Sequence, residues 1–280
     1  MRRGPRLCAT IQDSSRSARR LNMGRRLGLI VAAVTLCTVT SAVLAQRGFR
    51  RGYGPIPDQP LTGERKEWTF ARLAYDGGRS GSRWDVDYPR AEMHFSQAVE
   101  RLTRIDVHPD GHVLSPNTDD LFDYPWLYAV EVWSWAFSDS QAARLREYLL
   151  RGGFLMVDDF HGEYEWQAFV EGMRSIFPDR PIEDVPANEA IYSLPYEIEE
   201  RLQVPGPGYM SSGMLYERHD GVTPHWRGIR DSRGRWMVLI SHNIDYGEGW
   251  EQADNPAYPE PFTRQAYEVA VNYLIYDMTH

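Results

Sequence analysis

Cysteine and lysine are nearly missing from this chain. The two cysteines of its 280 residues, Cys8 and Cys37, both fall within the first 45 positions. Everything after them therefore has no disulfide, no thiolate metal site and no thiol nucleophile. Of 31 basic residues only Lys66 is a lysine, which excludes a P-loop and nearly any Schiff-base enzyme. Also missing are G-x-S-x-G, H-E-x-x-H and G-x-G-x-x-G, so three common catalytic signatures are excluded. No internal repeat or heptad pattern is present, and 42% hydrophobic and 12% aromatic residues exclude a disordered chain.

Charge is spread unevenly. Residues 1–45 hold eight arginines and one acid, Asp13, which leaves the remaining 235 residues at a net charge of −15. An anionic body repels nucleic acid, whose binding rests on neutralising phosphates, so no nucleic-acid partner is expected. Arg19, Arg20, Arg25 and Arg26 precede an apolar run, Leu27 to Ala45, that ends in Val43-Leu44-Ala45. This reads as a secretory signal over 1–45 cut near Ala45/Gln46, with Met23 as an alternative start. The expected location is periplasmic or secreted. If the leader stays uncleaved, the chain is instead anchored in the inner membrane.

Residues 46–67 are rich in Gly, Pro and Arg and read as a flexible linker. Residues 68–280 read as one α/β domain. Strands are expected at Trp68–Tyr75, Ile105–Val107, Trp126–Val132 and Phe154–Val157, with helices at Pro89–Leu102 and from about Tyr164 to Ile176. Ser138-Asp139-Ser140-Gln141 is a capping box that opens a helix, and Gly152-Gly153 closes it. Strand, helix and strand at that spacing make a parallel crossover. Residues 200–224 read as a long surface loop of the functional kind. Asp231-Ser232-Arg233-Gly234 turns one strand into the next, and a last helix covers about Pro261–Asp277. The expected architecture is three-layered, a mostly parallel central sheet with helices on both faces.

Ligands in such sheets bind beyond the carboxyl ends of the strands. Three segments fall there: Tyr75-Asp76-Gly77-Gly78-Arg79, Asp158-Asp159-Phe160-His161 and His242 to Glu251. The candidate ligand-binding residues are Tyr75, Gly77, Gly78, Arg79, Asp158, Asp159, His161, His242, Asn243, Asp245 and Glu251. Glycines let a ligand approach the backbone, Arg79 suits an anion, and the acids and histidines suit a metal or acid–base chemistry. By strand alternation Asp158 and Asp159 point to opposite faces, so at most one of them faces a given pocket. His108 and His112 sit in a Pro/Gly turn, which argues against a metal site there.

Leu145–Gly162, Arg235–Glu251 and Asn272–His280 together resemble the bacterial family called domain of unknown function 4159, over roughly Trp68 to His280. More distantly the chain resembles class I glutamine amidotransferases, which implies a flavodoxin-like three-layer fold. Where such enzymes carry a cysteine nucleophile, the comparable turn here is Asp158-Asp159-Phe160, so that chemistry is not available. The resemblance assigns no activity and no cofactor. Two readings stay open: a non-catalytic exported module that binds an envelope protein or a small polar ligand, and a hydrolase using Asp158 or Asp159, His161, His242 and Asp245, with or without a metal.

Overall fold

The computed structural model describes residues 64, 66–78 and 81–280. The leader, most of the linker and Arg79 lie outside the described residues.

A seven-stranded sheet organises the domain. In chain order its parallel strands are β1 (Ala71–Leu73), β3 (His112–Leu114), β4 (Trp126–Val130), β6 (Phe154–Asp158) and β9 (Trp236–His242). The antiparallel strands β7 (Glu183–Asp184) and β8 (His225–Arg230) complete one edge. Across the sheet the order is β3-β1-β4-β6-β9-β8-β7. A separate two-stranded ribbon pairs β2 (Asp76–Gly77) with β5 (Trp135–Ala136). The helices are α1 (Arg90–Leu102), α2 (Asp139–Leu150), α3 (Gly162–Ile176), α4 (Tyr209–Ser212), α5 (Tyr246–Glu251) and α6 (Glu260–Thr279).

The central strands read as continuous apolar runs because both of their faces are covered. On β4, Trp126, Tyr128 and Val130 face one core with Phe95 of α1, Trp250 of α5 and Val269 of α6. Leu127 and Ala129 face the other core with Leu145 and Leu149 of α2 and Phe169 of α3. The first core is aromatic: Phe70, Trp126, Tyr128, Phe95 and Trp250 meet with ring centroids 4.7–6.2 Å apart. Such contacts add about 0.5–1.5 kcal/mol per pair beyond area burial.

The capping box forms as its spacing predicts. Ser138 Oγ accepts from Gln141 N at 3.3 Å, and the Gln141 side chain accepts from Ser138 N at 2.9 Å. Gly152 ends α2 at φ +118°, where a side chain is strained, and a Cβ on Gly153 would lie 2.4 Å from the Tyr148 ring. This double glycine brings the chain straight back into β6.

Three expectations need correction at their ends. The ladder around Trp68–Tyr75 shrinks to β1, with Trp68 making only an isolated bridge to Val107. The strand expected at Ile105–Val107 is that bridge alone, and the true edge strand is β3, just beyond Gly111. The strand expected to reach Val132 stops at Val130, because Glu131 is left-handed and a 3-10 turn follows.

Candidate functional site

Adjacent strands β4, β6 and β9 end at the same edge, and each is followed by a residue in the left-handed region: Glu131 (φ 50°), Asp159 (φ 53°) and Asn243 (φ 64°). A fourth, Asp87 (φ 63°), lies in the segment between β2 and α1. A non-glycine residue there costs on the order of 1–3 kcal/mol and persists only where its surroundings impose it. The surroundings are visible in the backbone. Glu131 N donates to Asp159 O at 3.0 Å, Asp159 N to Ile244 O at 3.1 Å, and Asn243 N to Phe160 O at 3.0 Å. Turned aside in this way, the strand ends stay tied together.

Of the adjacent pair Asp158 and Asp159, only Asp159 brings an oxygen into the clustered donors. Asp158 is fully buried, and its Oδ2 accepts from Tyr128 Oη and from Gly247 N, both at 3.0 Å. Asp159 turns toward Asp87 and Asp245. Donor oxygens of these three acids lie within 4.8 Å of one another, and so do those of Asp87, Glu248 and Glu251.

Local sequence explains the placement. Asp245 caps α5, its Oδ1 accepting from Glu248 N at 2.7 Å. Glu248 and Glu251 follow at three-residue steps and so share a face of the helix. Gly247 is required: a Cβ there would sit 2.7 Å from both Asp87 Oδ2 and Tyr128 Oη.

Burial first, and the neighbouring acids second, hold Asp87, Asp159 and Asp245 well above the usual carboxylate range. Burial likewise pushes Asp158 up to about 7, offset in part by its hydrogen bonds from Gly247 and Tyr128. The guanidinium groups nearby are engaged elsewhere: Arg72 with Glu92, Arg83 with Glu131 (2.5 Å) and Arg218 with Glu165 (2.5 Å). Arg72 still draws Asp87 down through space, but burial and the neighbouring acids outweigh it.

His161 stands beside it. Its Nε2 lies 3.3 Å from Asp159 Oδ1 and 4.0 Å from Glu217 Oε2. Glu217 belongs to the long 200–224 loop, so that loop does reach the site. Two open surface grooves take in none of these acids. One of 340 Å³ is lined by Trp166, Met173, Phe177 and Arg180, the other, of 360 Å³, by Arg230, Arg233, Arg235 and His280.

Other predicted residues hold the scaffold. Tyr75 Oη lies 2.8 Å from Val130 O and 2.9 Å from Glu131 O, which pins the end of β4. Gly77 ends β2 of the ribbon, and just beyond it Gly78 N donates to Ser134 O at 3.0 Å. Asn243 Oδ1 accepts from Gly162 N at 2.8 Å, and its amide donates to Thr223 O at 2.7 Å. His242 stacks against Phe160 and His225, and burial, with Arg227 nearby, pushes it down to about 3. It is neutral at physiological pH. Of the predicted set, then, Asp158, Asp159, His161, Asp245 and Glu251 come together, while Tyr75, Gly77, Gly78, His242 and Asn243 support the surrounding chain. Asp87 and Glu248 join the site unpredicted.

Residues 69–278 match the family model of the domain of unknown function DUF4159, a span that contains every acid of the cluster. The chain belongs to the DUF4159 family. A search of curated proteins found no match. DUF4159 is an uncharacterised domain, so the match names a lineage and the chemistry has to be read from the site. Among the described residues of this DUF4159 chain, no helix is long and apolar enough to cross a membrane.

Proposed function

We propose that this DUF4159 chain is an exported binding module whose acid cluster seats a hard divalent cation, through which it takes a small polar ligand or an envelope partner. One observation carries the reading: Asp87, Asp159 and Asp245 bring carboxylate oxygens within 4.8 Å of one another, with Asp159 and Asp245 buried and Asp87 half-buried. Carboxylates forced this close, and this far from water, either hold protons or hold a cation. Oxygens on opposite sides of a calcium ion stand roughly 5 Å apart, since each lies about 2.3–2.6 Å from it. The donors are oxygens without sulfur, which suits Ca²⁺, Mg²⁺ or Mn²⁺ over zinc or copper.

The scaffold reading is flavodoxin-like and, more distantly, amidotransferase-like. Its support is the order of the parallel strands, which counted in chain sequence run 2-1-3-4-5, the flavodoxin pattern. Ligands of that pattern sit beyond the carboxyl ends of the strands, where the acids are. Cysteine-dependent glutamine hydrolysis is ruled out because residues 46–280 contain no cysteine. Export rests on the Arg-rich leader and its Val43-Leu44-Ala45 end, and the anionic body speaks against nucleic acid.

A second reading, a metal-dependent hydrolase, draws on His161, whose Nε2 is 3.3 Å from Asp159 Oδ1: a cation held by the acids would supply Lewis-acid chemistry, with His161 the neighbouring acid–base group. Calorimetric titration of EDTA-treated protein with Ca²⁺, Mg²⁺ and Mn²⁺ tests the cation. Saturable binding of at least one, abolished by Asp159→Asn, is expected; heats no larger than dilution for all three would refute the proposal. Turnover of a broad ester and phosphoester panel, lost in His161→Gln with cation binding retained, would favour the hydrolase.

A further inference from the structure

We infer that the groove along α3 binds an alkyl carboxylate, a fatty-acid-type anion, at a site separate from the acid cluster. The groove measures 340 Å³, within the size range of small-molecule sites. Trp166, Val170, Met173 and Phe177 line it at steps of four, three and four residues, which puts them along one face of α3 and its C-terminal cap. At 1.5 Å per residue that line runs about 16 Å, so a long, narrow occupant suits it.

The apolar lining is held in place by the core behind it. Met173 and Phe177 are each 2% exposed and pack with the α2 side of the sheet. Phe160 and His242 pack against Trp166 with ring centroids 6.3 and 5.0 Å away, and the Arg227 guanidinium lies 4.1 Å from its ring centre. Ile182, just before β7, joins the lining, and the flexible thioether of Met173 adapts to an unbranched chain.

Charge selects the head of the ligand. Two arginines line the groove, Arg174 and Arg180. Around them Arg146 pairs with Asp179 at 2.6 Å and Arg227 with Asp184 at 3.3 Å. Arg174 is exposed in the last turn of α3, and among the described residues its guanidinium has no hydrogen bond and no ion pair. Arg180 gives Nη1 to Arg230 O at 3.0 Å and pairs with no carboxylate. Two guanidiniums without acids, beside an apolar floor, on a chain whose residues 46–280 carry a net charge of −15, match an anionic head on an apolar tail. The planar guanidinium fork fits the two oxygens of a carboxylate. Two other occupants fit worse. An extended peptide would add to the sheet edge at β7, where Glu183 and Asp184 are exposed acids and Pro181 precedes them. An anionic bilayer would be repelled by the anionic body.

Sodium decanoate, kept below its micelle concentration, is the probe. It is titrated calorimetrically into the full chain, with decylamine and butyrate run alongside. One decanoate per chain, bound saturably, is expected. Decylamine and butyrate should each bind about tenfold or more weakly, since one lacks the anionic head and the other the tail. Arg174→Glu, at an exposed position that leaves the core untouched, should weaken decanoate by about tenfold or more, and Arg174→Lys should recover part of the loss. The variants keep residues 1–67, so their difference from wild type reports the groove. No saturable decanoate binding, equal affinity for decanoate and decylamine, or undiminished binding in Arg174→Glu would each overturn the inference. Flotation with phosphatidylglycerol vesicles that is lost in Arg174→Glu and is not displaced by decanoate would assign the groove to a membrane surface and overturn it too.

Discussion

Two sets of charges meet the same tyrosine, and they differ in what each strand edge supplies to them. Arg72, 0% exposed, pairs with Glu92, 1% exposed, and its Nη1 donates to Trp84 O and Val86 O at 3.0 and 2.8 Å. Its guanidinium lies 5.1 Å from the centre of the Tyr128 ring. The hydroxyl end of that ring donates to Asp158, at the margin of the acid cluster. On one side of Tyr128 the chain supplies both signs of charge. On the other it supplies acids, strained backbone and an Asp87 oxygen with no donor. Arg72 acts on both sides: it pairs with Glu92 and, through space, draws the Asp87 carboxyl down against the stronger pull of burial and neighbouring acids. The first set carries its own counter-charge, although Arg72 Nη2 and Glu92 Oε2 find no hydrogen-bond partner; the second, on the function proposed above, takes its counter-charge from a cation.

The largest expected effect is on the self-sufficient side. Arg72→Met leaves Glu92 buried without a partner and should cost about 3–5 kcal/mol in urea unfolding. Added cation should not restore it. Leu149→Ala, at a fully buried position of α2, should cost about 2–5 kcal/mol and serves as a core reference.

Asp159→Asn should behave differently. It replaces a carboxyl whose ionisation burial and the neighbouring acids already oppose, so metal-free stability should hold or rise. What disappears is stabilisation by cation, about 2.7 kcal/mol for wild type at a hundredfold excess over the dissociation constant. If this variant unfolds as readily as Leu149→Ala, the acid is a structural cap and the contrast fails.

Acidity gives the next effect. Burial raises the pKa of Asp158 to about 7 and lifts those of Asp87, Asp159 and Asp245 above the unfolded value. Between the unfolded and folded values the native state binds more protons, so stability falls as pH rises. For Asp158 that window runs from about 4 to about 7, at roughly 1.4 kcal/mol per pH unit for each proton. Melting of metal-free protein should drop across it, and saturating cation should flatten the profile. A metal-free profile that climbs from about pH 5 to 8 would contradict the account. Smallest of all, Ser138→Ala breaks a cap remote from both charge sets and should cost about 1 kcal/mol without touching cation binding.

Much of this molecule is legible in its sequence where one local signal decides. The capping box at Ser138, the double glycine at 152–153 and the apolar run of β6 each specify their element through near neighbours. So did the acids at the end of β6 and Asp245 and Glu251 beyond β9, because polar residues after a buried run mark the carboxyl edge. The missing part is tertiary. β3 hides behind the His108–Gly111 turn, since three residues carry too little periodicity to read. Asp87 lies in SGSRWDVDYP, where no strand or helix pattern gives direction, and only the left-handed backbone turns it inward. Asp-Val-Asp just before Tyr-Pro was the available hint. Glu248 reads as an ordinary first-turn acid until Asp87 is placed across from it.

Anomalous diffraction from crystals grown with Mn²⁺ tests the central claim most directly. A strong peak within coordinating distance of Asp87, Asp159 and Asp245 is the predicted result. Ordered water alone among those carboxylates, or a side-chain cation such as Arg79 reaching in to pair with them, would contradict it.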